Sequence, residues 1–469
     1  MARGKKNEVA LTPEEKLAQA LVPVEEQPYK VPRNWCWVKL SSLSSLISKG
    51  TTPTGGKTAY VPEGVHFLRV ENINDDGTIL HDNIACVTEE MHTGFLRRSM
   101  LEKRDILVSI AGTLGKTGIV QETDLPLNTN QAVAFIRLKT EAIDERYIKN
   151  VIDNPIVQEL LLGKTKVTSI PNLTLEIIGD CPIPLAPTAE QQRIVDCIEY
   201  LFTKLDEAKE KAQSVLDSFE TRKAAILHKA FTGELTAKWR AEHGVQLDTW
   251  QSVLFDNCIA KMQNGLAKRA GSNGIPFAVL RLANLSDDGF ITDDLRQIVL
   301  DEKEQGNYRL MPDDVLMIRV NGSKDNVGKQ FLMGDQKDWA FCDHIIRIRY
   351  SDGILPAYMV LFSKSDVYRL YVKDNMVSSA GQNTISRKGM AHLAVPVPSP
   401  DEQAEIIRIL DSLFAKEQQA KEAAEAVLDK IDLLKKSILA RAFRGELGTN
   451  DPTEESAVEL LRGILKGDI

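Results

Sequence analysis

The chain has 469 residues, room for two to four domains of ordinary size, and its 43% hydrophobic and 26% charged residues place it among globular proteins. No apolar run reaches the roughly 18 residues of a membrane-spanning helix, and the basic start MARGKK leads into no apolar stretch; no membrane span or secretory leader is expected, and the predicted compartment is the cytoplasm. A net charge of −8 excludes a nucleic-acid binder that works by an overall basic excess, and six scattered cysteines without a Cys-x-x-Cys pair argue against a zinc or disulfide framework and read as buried thiols.

In chain order, residues 1–34 form an extension whose amphipathic part runs from Pro13 to Leu21. A first globular unit, 35–187, alternates strand-like runs such as DILVSI and AVAFIRL with glycine- and asparagine-rich loops and short helical stretches such as DERYIKNVI. A long helix over 188–235 follows, then a linker over 236–247. The second globular unit, 248–399, carries DVLMIRV and HIIRIRY, and a second long helix covers 400–447 before a tail, 448–469, with a short helix of its own. The class is α+β.

The order is a duplication. At an offset of 212 residues, 190–235 aligns without gaps on 402–447 with 21 identities in 46 positions, and FLRVENINDDGTI at 67–79 falls on VLRLANLSDDGFI at 279–291. In the first helix Ile194, Ile198, Leu201, Leu205, Ala208, Ala212, Val215, Phe219, Arg222 and Ile226 alternate at steps of four and three, the seam of a coiled coil. Ile406, Leu410, Leu413, Glu417, Ala420, Ala424, Val427, Ile431, Leu434 and Ile438 repeat it. A proline-rich stretch precedes each helix, and Gly233 or Gly445 ends it. At about 1.5 Å per residue each would be roughly 70 Å long, too long to bury its seam on one small domain. Two tandem units related by a pseudo-two-fold axis would run the two helices antiparallel, with the small residues at the crossing.

Catalytic motifs are scarce. Gly-Lys-Thr occurs at 56–58 and 115–117, but Thr51 and Ile110 stand where a P-loop needs its first glycine, and the second copy keeps the loop without the motif. No methyltransferase tetrad, His-Glu-x-x-His or Gly-x-Ser-x-Gly elbow is present. One nuclease-like set, Asp313, Asp335 and Lys337, has no counterpart in the first copy; an autonomous metal-dependent nuclease is one alternative reading, and a coiled-coil adaptor without a DNA role is another. The remaining candidates are polar loop residues able to meet base edges or phosphates: Lys57, Thr58, Thr113, Lys116, Asn128, Asn130 and Gln131, then Lys268, Arg269, Asn273, Asn321, Lys324, Asn326 and His344. Arg69 beside Asn72, and Arg281 beside Asn284, recur in both copies and read as packing residues.

The duplicated units, the Glu-Gln after each proline-rich lead-in, the exits AFTGELTAKWR and AFRGEL, and Trp-Cys-Trp at 35–37 after VPRN together resemble the specificity subunit of type I restriction-modification enzymes over about Trp35 to Leu447. The resemblance implies that each globular unit is a target recognition domain reading half of a bipartite double-stranded DNA sequence, that the paired helices set the spacer, and that the chain itself is not catalytic. It implies two modification subunits carrying S-adenosylmethionine and adenine methylation, and restriction subunits carrying ATP-driven translocation and Mg-dependent cleavage, in a phage-defence system. Loops as different as TTPTGGKTAYVPEG and LAKRAGSNGIP make the expected target asymmetric.

Overall fold

The computed structural model describes residues 12–163, 172–286, 289–335 and 338–467, apart from the side chains of Gly56 and Lys57. Two compact units emerge: Met1–Lys211 with Val427–Ile469, and Ala212–Ala426. Each is built on the same plan, because the same alternation of apolar residues recurs in each copy.

In the first unit an antiparallel sheet runs in the order Ser44–Lys49, Val133–Leu138, Ile106–Ser109, Thr117–Ile119. A second sheet orders Ala85–Val87, Val65–Leu68 and Leu127–Thr129, the last pair parallel. Cys36–Lys39 pairs with Pro182–Leu185, so the two ends of the globular part meet where the long helix begins. The second unit repeats all three: Ile259–Asn264, Ile345–Tyr350, Val315–Ile318, Gln330–Leu332; then Arg296–Leu300, Ile275–Leu280, Trp339–Phe341; then Gln251–Leu254 with Ala394–Val397. It adds a three-stranded ribbon of Val320–Asn321, Gln382–Thr384 and Val377–Ser379. Strands buried on both faces, such as the core of DVLMIRV, carry continuous apolar runs, as burial on both faces requires. Of the six cysteines five are buried and Cys197 is half-buried; burial pushes the Cys258 thiol up to about 11.

The second long helix, Pro400–Ala442, is continuous, whereas the first is broken into Thr188–Asp217 and Phe219–Phe231, where the sequence predicts one helix. The break has a local cause. The Ser218 hydroxyl donates to the Ser214 carbonyl at 2.6 Å alongside the Ser218 amide, and Arg222 donates to the Val215 carbonyl at 3.2 Å, so side chains bond the carbonyls of the turn before the break. Lys430, the counterpart of Ser218, has no such bond to offer.

Helix pairing is antiparallel within each unit. In the first, Lys435 meets Asp206 at 2.6 Å and lies 5.1 Å from the Phe202 ring. In the second, Lys223 lies 5.7 Å from the Phe414 ring and Arg222 pairs with Glu417 at 2.9 Å. Lys435 with Phe202 and Lys223 with Phe414 are the same contact at the offset of 212 residues, as the duplication demands. The first seam is buried or half-buried throughout, and Ala212 and Ala424 are buried. The second needs correction: Ala420, Val427 and Leu434 are exposed. A step of four from Glu417 to Lys421 replaces the step of three to Ala420, after which Ala424, Leu428, Ile431, Lys435 and Ile438 face inward. A helix of 3.6 residues per turn outruns a strict 3.5-residue repeat by about 20° per heptad, and one longer step restores the face.

The exits dock by aromatic contacts. Phe443 meets Tyr147 edge-on with ring centres 5.3 Å apart, and Phe231 meets Tyr358 at 5.4 Å. Each tyrosine donates to a proline carbonyl, Pro184 or Pro396, at 2.5 Å. Gly445 then turns with φ +73°, where a Cβ would lie 2.4 Å from Pro32. The terminal segments cap the first unit: helix Pro13–Ala20 packs on helix Ala457–Lys466, and Ala20, Ala457, Leu461 and Ile464 join the core containing Trp35 and Val38.

Candidate nucleic-acid interface

In each unit the loops at one end of the four-stranded sheet are stitched together by backbone hydrogen bonds. In the first, Thr51 donates to Thr129, Ile110 donates to Ala132, and Leu173 donates to Ile110, bringing the loops around 50–58, 110–116 and 129–132 side by side. Gly115, the glycine of the second Gly-Lys-Thr, is a packing residue: its φ is +78° and a Cβ there would meet the Gln158 amide at 2.3 Å. Gln158 in turn donates to the Gly115 carbonyl at 2.9 Å.

This end holds most of the residues predicted for DNA contact. Thr58, Thr113 and Gln131 are exposed, and Thr58 donates to the Gly55 carbonyl at 2.8 Å. Asn130 accepts from the Ala132 amide at 3.1 Å, and Lys116 pairs with Asp75 at 3.0 Å. The Lys57 side chain lies outside the described residues. Asn128 has to leave the set: it is fully buried, bonded to His92 and donating to the Leu96 carbonyl at 3.1 Å, because it stands on a strand inside the three-stranded sheet.

The second unit repeats the arrangement. Arg319 and Val320 donate to the His344 carbonyl, Asp343 to Leu266, and Ile385 to Arg319. Lys268 pairs with Glu304 at 2.7 Å, which holds the Glu304 carboxyl below its ordinary range. Arg269 pairs with Asp343 at 3.0 Å, and His344 approaches the same carboxylate at 3.1 Å. Burial alone would push Asp343 up; the Arg269 bond and charge, with His344, outweigh it and bring the group below its ordinary value. Asn273 and Lys324 are exposed, Asn326 is half-buried, and Asn321 accepts from the Ser323 amide at 2.8 Å. Surface pairs of this kind are worth about 0–1 kcal/mol each, so a phosphate can displace the acidic partner at little cost. They also account for a polar interface on a chain of net charge −8.

Arg69 and Arg281 pack as expected. Each has its amide capped by the asparagine three residues on, at 3.0 Å, while Arg69 lies 4.7 Å from the Tyr60 ring and Arg281 pairs with Asp294 at 2.9 Å. Of the nuclease-like set, Asp313 and Asp335 are exposed and Lys337 lies outside the described residues. Among the described residues the one close group of three ligand-type side chains is Cys342, Asp343 and His344, whose carboxylate is already engaged by Arg269.

Two features escape the sequence reading. The ribbon strands Val377–Ser379 and Gln382–Thr384 form a fourth loop at the same end of the second unit; they carry no charge and no helix or strand period long enough to mark them. The Glu-Gln pair is architectural. Gln191 donates to the Ala186 carbonyl at 2.8 Å and accepts from Asp144, and Gln403 donates to Pro398 at 2.9 Å and accepts from Leu355, tying each long helix to its globular part.

Known proteins share this plan. A family model for the type I restriction modification DNA specificity domain matches residues 32–216. The type I restriction enzyme StySPI specificity subunit of Salmonella potsdam is 29% identical over 423 residues, which cover 89% of this chain and 90% of that protein. The EcoKI specificity subunit of Escherichia coli strain K12 is 25% identical over a stretch of the same coverage. The crystal structure of the HsdS subunit from Thermoanaerobacter tengcongensis, at 19% identity, superposes over 90% of this chain and all of that one with a TM-score of 0.63, a likeness of fold. Among the described residues no helix is long and apolar enough to cross a membrane. In its duplicated units, its helix pair and nearly its whole length, the chain is similar to the specificity subunits of type I restriction-modification enzymes.

Proposed function

We propose that the chain is the DNA-reading subunit of a type I restriction-modification complex, each unit reading one half of an asymmetric bipartite target through the loops at its sheet end. The observation that carries this reading is the recurrence of one loop platform in two units with different residues on it: Thr113, Asn130 and Gln131 in one, Arg269, Asn321, Lys324 and His344 in the other. A shared scaffold with unlike tips is what reading two unlike half-sites requires. Each long helix begins in one unit and finishes in the other, so its length sets the spacer in this reading. The chain works without catalysis of its own. Two modification subunits supply S-adenosylmethionine and the methyl transfer, and restriction subunits supply ATP-driven translocation and Mg-dependent cleavage.

Sequencing methylated sites in host DNA with the gene intact and deleted tests this. Loss of adenine methylation at one asymmetric bipartite motif is expected; methylation unchanged in cells that hold the modification subunit overturns the reading.

A further inference from the structure

The ribbon of the second unit is built like a reading head. Its turn, Ala380 and Gly381 with φ of +49° and +76°, is the tight two-residue type whose twist matches that of the flanking strands. Ser379 faces Gln382, Ser378 faces Asn383, and Val377 faces Thr384. Alternation puts Ser378 and Asn383 on one face, and that face is anchored: Asn383 donates to the Gly322 carbonyl at 2.9 Å and accepts from Ser378 at 2.6 Å. The opposite face carries Val377, Ser379 and Gln382, all exposed. Val377 is 69% exposed, beside Ser379 and Gln382 on the same outward face.

We propose that this ribbon enters the DNA major groove and reads an A·T base pair in the half-site of the second unit. The inference rests on the function proposed above and adds the element that reads and the base pair it favours. Beyond the pairing of Asn383 and Thr384 with Val320–Asn321 the ribbon is two-stranded, and a two-stranded β-ribbon fits the major groove. There a glutamine amide matches adenine bidentately through N6 and N7, a valine packs on the thymine methyl, and a serine hydroxyl serves either base. Residues 375–386 contain no charged side chain to oppose a phosphate. Lys324, exposed on the neighbouring loop, positions the backbone while the ribbon specifies. The corresponding segment of the first unit overlaps residues 164–171, outside the described ones.

The test is methylated-motif sequencing in cells expressing the full chain with its modification subunit, comparing wild type with Gln382→Ala and Val377→Ala. Both side chains are exposed, so folding is expected to be unaffected, which circular dichroism checks. For Gln382→Ala the expected result is relaxation at an A·T position in one half-site, with the other half-site unchanged and discrimination there reduced roughly tenfold to a hundredfold. For Val377→Ala a smaller loss at the same or the adjacent pair is expected. A bipartite motif in wild type that both variants methylate with the same specificity overturns the ribbon and leaves the general function standing. Absence of any bipartite motif in wild type overturns both.

Discussion

The two units solve the same closure with different pieces of chain. In the second, the long helix begins at a fully buried Glu402 that accepts from Trp250 at 2.9 Å at the start of the globular part, and from Thr236 at 2.6 Å and the Arg240 guanidinium at 2.6 Å on the linker that leads into it. In the first, Glu190 is equally buried and accepts from Trp35 at 2.7 Å, but the other donors, Asn450 at 2.9 Å and Thr449, come from the tail. Trp35 and Trp250 each precede the strand that pairs ahead of the long helix, so the carboxylate and its indole recur. The cation does not. One unit closes with a continuous segment and a buried ion pair, the other with two chain ends and neutral donors. Duplication thus preserves the acceptor position while the counter-charge depends on which segment passes by.

The sharpest way to break that comparison is to neutralise each glutamate. Glu402→Gln leaves Arg240 buried with no carboxylate, and loss of one partner of a buried pair costs about 3–5 kcal/mol. Glu190→Gln leaves no charge stranded and keeps an acceptor for Trp35, so a change within about 1 kcal/mol is expected. Hydrogen exchange of the Ile345–Tyr350 and Val133–Leu138 strands reads the two units separately. Equal losses in both would refute the contrast.

A second contrast lies at the helix exits. Phe443 is fully buried against Tyr147, while Phe231 is half-buried between Tyr358 and Phe362. Phe443→Ala should cost about 3 kcal/mol, at the lower end for a buried phenylalanine. Phe231→Ala should cost roughly 2 kcal/mol, in keeping with its partial exposure. Denaturant unfolding of the full chain, followed by exchange in each unit, measures both.

These contrasts also mark how far the sequence could be read. The repeat, the strand cores and the helix ends were legible because apolar period and glycine placement are local signals. The break at Ser218 was not, since a serine inside a helix reads as neutral until its hydroxyl is seen bonded to Ser214. The slip of the second seam to Lys421 was hidden because a heptad template accepts Ala420 as readily, although Lys421 lies 5.2 Å from the Phe219 ring. Of the loop candidates, Asn128 was misplaced for want of the parallel pairing that buries its strand, and the ribbon was invisible because its order comes from Asn383 reaching a distant loop. The Glu-Gln signature was seen as a family mark, while its work, anchoring helix to sheet, needed the fold.

Acidity offers a third test. Burial raises the Glu190 carboxyl above its ordinary 4.5, against the hydrogen bonds of Trp35 and Asn450. A carboxyl raised on folding takes up its proton in the folded state first. The penalty for keeping it charged is therefore fully present above the raised value and disappears as pH falls to about 4.5. Glu190→Gln should be the more stable form of the first unit at pH 7, by less than about 1 kcal/mol, with the advantage shrinking toward pH 4.5. A difference that stays flat with pH, measured by unfolding of both forms, would rule out a charged buried Glu190.

The smallest effect should come from the one place where the two helices themselves differ. Ser218 bends the first helix by bonding to Ser214, and Lys430 leaves the second continuous. Ser218→Ala removes the competing acceptor bond and substitutes a better helix former, a gain of about 0.5 kcal/mol. Arg222 keeps its pair with Glu417 at 2.9 Å, so little is lost in exchange. Amide exchange at residues 218–222 should slow by about twofold and the helical circular dichroism signal should rise slightly. Lys430→Ser is the reverse substitution, and it should not break the second helix: a serine there has the hydroxyl but no arginine four residues on, since Leu434 stands where the first helix has Arg222. If Lys430→Ser alone speeds exchange at 430–434 to the rate seen at 218–222, the serine is sufficient and Arg222 is a bystander; if it does not, the break requires both side chains.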